Sequence, residues 1–154
     1  MCVAVALDLS ELPETLIAEH QLENRIHTRG EREVRFYWRA APQLLPVWWN
    51  GALHIVKWGN RDRAERKLPP TGWTWRETVE EGKWAAIEPE PVLVPATYGL
   101  MNGVWFKVKT GLRGSLVRDQ AGAPVVYLIT EPATRYYGVM CSAEWMPVLE
   151  GQVI

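Results

Sequence analysis

Val3, Val5 and Leu7 alternate with Cys2, Ala4 and Ala6 at the start of the chain, a period of two that predicts a short strand over residues 2–7. Ser10 then reads as a helix N-cap, with Pro13 tolerated in the first turn and Leu12, Leu16 and Ile17 spaced for one helical face. This helix is expected to end before Arg29-Gly30. Val34, Phe36 and Trp38 alternate again. In the following "APQLLPVWWNG", Pro42 and Pro46 restrict the backbone and Asn50-Gly51 is a strong hairpin signal, so residues 53–58 read as the return strand. Residues 59–72 are polar and broken by Pro69-Pro70, as a surface loop would be. "RETVEEGKW" suits a brief helix, and residues 92–96, 104–108 and 125–130 are strand candidates, the last following a turn at Gly122. Many short strands, few helices and no 20–50-residue repeat predict an α+β fold. The expected architecture is one domain over residues 1–154, built as a strongly bent, mainly antiparallel sheet or open β-barrel with a few short helices.

Composition narrows the function classes. A chain of 154 residues buries one ordinary core. It contains no apolar run long enough to span a membrane, and its first residues lack a secretory pattern, so the expectation is a cytoplasmic protein without a membrane partner. Two cysteines, Cys2 and Cys141, read as free thiols in a reducing compartment. His20, His27 and His54 are scattered and no C-x-x-C occurs, so neither a metal nor another cofactor is expected. The net charge of −1 conceals asymmetry: residues 57–67 carry five positive and two negative side chains, residues 76–90 two positive and five negative. Any basic surface is therefore a patch. Nine tryptophans are the most unusual feature; most should be core, while exposed ones could stack on nucleobases.

Two sets of residues could carry chemistry. Methionine aminopeptidases remove Met1 when a small residue follows, which would leave Cys2 as an N-terminal 1,2-aminothiol. With reference pKa values of about 8 for the amine and about 8.5 for the thiol, both could attack one aldehyde carbon and close a thiazolidine ring. The same pair also serves amidohydrolases and self-processing enzymes, and in a purely structural role Cys2 is a small hydrophobe at a strand start. The second set is basic and aromatic. Trp105, Lys107, Lys109, Arg113 and Arg118 supply four positive charges without an intervening carboxylate, and Trp58, Arg61, Arg63 and Arg66 form another cluster. Phosphate neutralisation combined with stacking is how non-specific single-strand binding is built; the alternative is a solvated strand face and a charged loop.

Several segments, in order, resemble the SRAP family, the SOS response-associated peptidase proteins that crosslink to abasic sites in single-stranded DNA. These are the Met-Cys start, "APQLLPV", "KWG" at residues 57–59, "WRETV" at 75–79, "PVLVPA" at 91–96 and "WMPVL" at 145–149. They resemble the family's A-P-T-x-x-x-P-V, W-G-L, A-R-A-E-T, R-C-L-V-P-A and R-M-P-V-I-L. The resemblance implies a thiazolidine crosslink between the N-terminal cysteine and the sugar aldehyde, assisted by a glutamate, an asparagine and a histidine. Those assisting positions fall here on Met101 or Asn102, on Trp73 and on Ala143, and Trp75 stands where the family has an arginine.

Only Cys2 of that reactive set is retained. Glu77, Asn102 or Glu144 could replace the lost acid and base, Cys2 could react slowly without them, or the domain could keep its fold and DNA binding while losing catalysis. A positioned acid or base contributes about two to four orders of magnitude in rate, so its loss slows the reaction without forbidding it. The candidate catalytic set is therefore Cys2, Asn102, Glu77 and Glu144. The candidate DNA-binding set is Trp58, Arg63, Trp75, Arg76, Trp105, Lys107, Lys109 and Arg113. The expected partner is single-stranded or abasic DNA, bound by a monomer. An N-terminal-cysteine amidohydrolase or self-processing peptidase is the remaining reading.

Overall fold

A computed structural model describes residues 1–152, and in it twelve strands and three short α-helices pack as two sheets around a shared core. The first sheet is five-stranded, in the order β2 (Ile26–Arg29), β3 (Glu31–Tyr37), β1 (Ala4–Asp8), β8 (Tyr98–Met101), β9 (Val104–Lys107), with every pairing antiparallel. The second runs β10 (Gly111–Arg118), β7 (Glu90–Pro95), β4 (Leu44–Trp49), β5 (Ala52–Trp58), β11 (Pro124–Pro132), and β11 pairs back onto β10, closing a five-stranded barrel. The bent α+β architecture read from the pattern is thus present, with the barrel closed rather than open. β11 carries the closure. Along one edge it pairs in parallel with β5 and then with β6 (Trp73–Trp75); along the other it meets β10 and then β12 (Trp145–Pro147).

The local signals explain most boundaries. Asn50 and Gly51 both have positive φ, 52° and 75°, as a tight β4–β5 hairpin with right-handed strand twist requires. Pro46 does not interrupt β4, because β4 meets β7 only at Trp48 and Leu93, so the missing N–H falls where that edge has little ladder to make. The long helix expected after Ser10 is not formed. Asp8, rather than Ser10, caps a single 3-10 turn at Leu9–Glu11, accepting from the Ser10 amide at 2.9 Å. The α1 helix covers only Glu14–Glu19, since the Leu22 amide turns back onto the Ile17 carbonyl and carries the Leu22 side chain into the core. Chain that the apolar spacing assigned to helix becomes β2. The brief helix at "RETVEEGKW" is α2 (Arg76–Glu80). The pattern reading names neither α3 (Arg135–Cys141) nor β6, β8, β10 and β12.

A tryptophan cluster joins the two sheets. Trp58 on β5, Trp73 on β6 and Trp38 just beyond β3 pack with ring centroids 5.0–5.9 Å apart. The Trp58 indole donates to the Gly72 carbonyl at 3.0 Å, and that of Trp73 to the Cys2 carbonyl at 3.0 Å. Gly72 is required there, because a Cβ would collide with the rings of both Trp58 and Trp38. The polar segment 59–72 is a loop, as its composition predicts, but one organised by buried Asn60. Its Nδ2 donates to the Glu65 and Leu68 carbonyls at 2.6 and 3.0 Å, and its Oδ1 accepts from the Glu65 amide.

Candidate nucleic-acid interface

The five-stranded sheet turns Val5, Leu7, Val34, Phe36 and Phe106 inward, leaving the alternate residues on its outer face. Pairing register places them in rows. Ala6 lies between Arg35 and Tyr98, with Lys107 beyond Tyr98; Ala4 lies between Tyr37 and Leu100, with Trp105 beyond Leu100. The central strand thus contributes only methyl groups, and long side chains from both edges fold over the furrow. The Arg29 guanidinium sits 4.1 Å from the Tyr98 ring centroid and 4.8 Å from that of Trp105; the Arg35 guanidinium lies 5.0 Å from Trp105. Tyr37 meets Trp105 edge-on. Beneath them Glu33, only 4% exposed, accepts from Arg29 Nη2 at 3.1 Å and from Arg35 Nε at 2.8 Å. Three cations (Arg29, Arg35, Lys107) and three aromatic rings share one face with His27, and the three carboxylates Glu31, Glu33 and Asp8 gather toward one end, Glu33 paired with both Asp8 and His27 in the register. Such a face offers rings on which planar groups can stack and guanidinium groups that can meet anions.

The remaining candidate DNA-binding residues are dispersed. Lys109, exposed like Lys107, borders a polar hollow of about 510 Å³ shared with Asp8, Ser10 and Glu11. Arg63 is exposed on the 59–72 loop. Trp75, Arg76 and Arg113 lie on the barrel instead, along two adjoining hollows of about 550 and 400 Å³ that share Arg76 and Glu80. Trp75 packs on Trp145 at 4.3 Å, and Trp48 is 46% exposed there. Charge decides against this groove as a phosphate site. Arg76 pairs with Glu80 and Glu131 and Arg113 with Glu150, and with Glu77 the two arginines face four carboxylates. Trp58 needs correction: its ring is wholly buried among Trp38 and Trp73 and can meet no ligand.

Cys2 also departs from its expected place. Its side chain is wholly buried in the core. The thiol donates to the Ala4 carbonyl at 3.2 Å. Loss of solvent pushes its pKa from 9.0 up to about 11, outweighing the backbone hydrogen bonds of Leu100 and Ala4. At neutral pH that leaves thiolate at about one part in ten thousand. The charged or titratable groups acting on this sulfur are the chain's amino terminus and Cys141; neither a carboxylate nor an imidazole is among them.

The proposed replacement groups stand elsewhere. Asn102, at positive φ in the Asn102-Gly103 turn between β8 and β9, donates to the Cys141 and Ser142 carbonyls at 3.0 and 2.9 Å, closing the C-terminal end of α3. Glu77 is exposed in the first turn of α2 beside the Trp75–Trp145 hollow, and Glu144 is exposed ahead of β12. The structure brings none of these three to the Cys2 sulfur by a hydrogen bond.

Sequence reasoning missed Arg29, Arg35, Tyr37 and Tyr98. For the first three the signal lies in "RGEREVRFY", where Arg29, Glu31, Glu33, Arg35 and Tyr37 alternate with period two opposite the Ala4/Ala6 alternation of β1; Tyr98 joins them only through its pairing with Ala6. Among the described residues no helix is long and apolar enough to cross a membrane, and no group of three or more His, Cys, Asp or Glu side chains could hold a metal ion. Comparison of the chain with protein-family models, with curated proteins and with solved structures gives no match.

Proposed function

We propose that the protein is a single-stranded DNA-binding module, a relative of the SRAP proteins in which the covalent step has been lost. The observation that carries the binding half is the outer face of the five-stranded sheet, where Arg29, Arg35 and Lys107 stand among Tyr37, Tyr98 and Trp105. Rings offer stacking without sequence preference, and the cations supply counterion-release affinity. The resemblance of the ordered segments favours DNA over RNA. The catalytic half is opposed by the burial of Cys2 and by the absence of an acid or base at its sulfur. An amidohydrolase reading meets the same obstacle, since its nucleophile must reach a substrate carbonyl.

The test is fluorescence anisotropy of a labelled (dT)12 oligonucleotide across a salt series. Neutralising three phosphates should give a log-log salt slope of about −2. Incubation with an abasic oligonucleotide should yield no heat-stable adduct, and Cys2→Ala should bind (dT)12 as wild type does. Salt-insensitive or undetectable binding would reject the binding assignment. A Cys2-dependent adduct would restore the crosslinking one.

A further inference from the structure

The same contacts that mark the sheet face as a nucleic-acid platform also close it in the free protein. Resting on that assignment, we propose that Glu33 is a latch. It holds Arg29 and Arg35 down over the aromatic rings, so that single-stranded DNA binds only by exchanging partners with it.

Arg29 is shared between three groups. Its guanidinium donates to Glu33 Oε1 at 3.1 Å while covering Tyr98 at 4.1 Å and reaching Trp105 at 4.8 Å. Arg35 donates to Glu33 Oε2 at 2.8 Å and lies 5.0 Å from the Trp105 ring. A base can stack on Tyr98 or Trp105 only where no guanidinium already lies, and a phosphate can take an arginine only by drawing it off Glu33. Both events need the same movement, in which the arginines swing outward.

That movement has a cost set by burial. The Glu33 side chain, on the outer face beneath the two guanidinium groups, is 5% exposed, whereas those of Arg29 and Arg35 are 32% and 16% exposed, so the arginines can turn to solvent while the carboxylate gains only the water that their departure admits. A buried carboxylate deprived of its partners is unfavourable, and that penalty is subtracted from the binding free energy. The latch therefore lowers affinity for single strands and hides the rings from unspecific apolar contacts. Ala4 and Ala6 are part of it, since larger side chains on β1 would fill the furrow in which the arginines lie. Removing the carboxylate should release the cations to phosphate and the rings to bases.

Glu33→Gln keeps the side chain's shape and removes its charge, so it should bind (dT)12 about threefold or more tightly than wild type, the scale of a partly buried ion pair released. Glu33→Asp keeps the charge but draws it back by one methylene, out of reach of both arginines together. It should also bind more tightly, and it carries the test if the Gln variant does not fold, folding being followed by circular dichroism melting. On adding (dT)12 to wild type, the Arg35 Nε–H resonance in 15N NMR should shift as its acceptor changes from the Glu33 carboxylate to phosphate. Wild-type binding with folded variants that bind equally or more weakly overturns the latch and leaves the DNA assignment standing. If neither wild type nor the folded variants bind, the assignment of this face falls and the latch with it.

Discussion

Trp105→Ala lowers affinity for (dT)12 by about tenfold or more while leaving the fold intact. Base–aromatic stacking is worth about 1–3 kcal/mol per base, and each 1.4 kcal/mol is a factor of ten. Trp105 is the ring on which the platform converges: Tyr37 meets it edge-on, and both Arg29 and Arg35 lie within 5.0 Å of its centroid. It is only half-buried and points away from the core that Phe106 enters from the same strand, so truncation opens no interior cavity. Anisotropy titration checks the affinity, and the thermal midpoint should stay within a few degrees of wild type. Trp75→Ala provides the contrast. Its ring is more exposed, yet it stands in the acidic groove and should leave (dT)12 affinity unchanged.

Trp58→Ala has the opposite profile. The side chain is wholly buried, bridges Trp38 and Trp73, and donates to the Gly72 carbonyl. Truncating a large core aromatic costs about 3–5 kcal/mol, against total stabilities of about 5–15 kcal/mol for proteins in general. For a chain of this length the thermal midpoint should fall by about 10 °C. The Gly72 carbonyl loses the indole donor in the same step but keeps the Leu128 amide at 2.9 Å, so the lost hydrogen bond adds only modestly to the loss. Because this cluster ties β5 of the barrel, and β6 beside it, to the ends of β1 and β3, melting should still be cooperative, with the sheet and the barrel lost together. Urea unfolding followed by both near- and far-ultraviolet circular dichroism checks this.

Trp58 also shows why the site was less legible in the sequence than the fold. Alternation identifies a strand but not which of its faces meets the core, and the basic run after Trp58 made the exposed choice attractive. Burial of Trp58 depends on Trp38 and Trp73, each fourteen or more positions away, which no local pattern reveals. Asn50-Gly51 was legible because the turn chemistry is contained in two residues. β6 and β12 were not, since each is three residues long and exists through pairing with β11. The helix after Ser10 failed for a related reason: Leu12, Leu16 and Ile17 suit a helical face, but burial of Leu22 ends the helix early.

The reactive reading of Cys2 rests on its position in the chain and on the ordered segments that resemble the SRAP family, and neither says anything of solvent. The candidate DNA-binding residues dispersed: Trp105 and Lys107 fell on the platform, Lys109 beside Lys107 at a polar hollow, Trp75, Arg76 and Arg113 on a groove whose carboxylates outnumber its arginines, Arg63 on a loop and Trp58 in the core. Only register across the sheet could add Arg29 and Arg35 to the first group.

Ultraviolet crosslinking of the protein to (dT)12, followed by mass spectrometric mapping of the modified peptides, tests the central claim most directly. Adducts should concentrate on peptides carrying Tyr37, Tyr98 and Trp105. Adducts concentrated on Trp48, Trp75 or Trp145, or on Cys2, would contradict it.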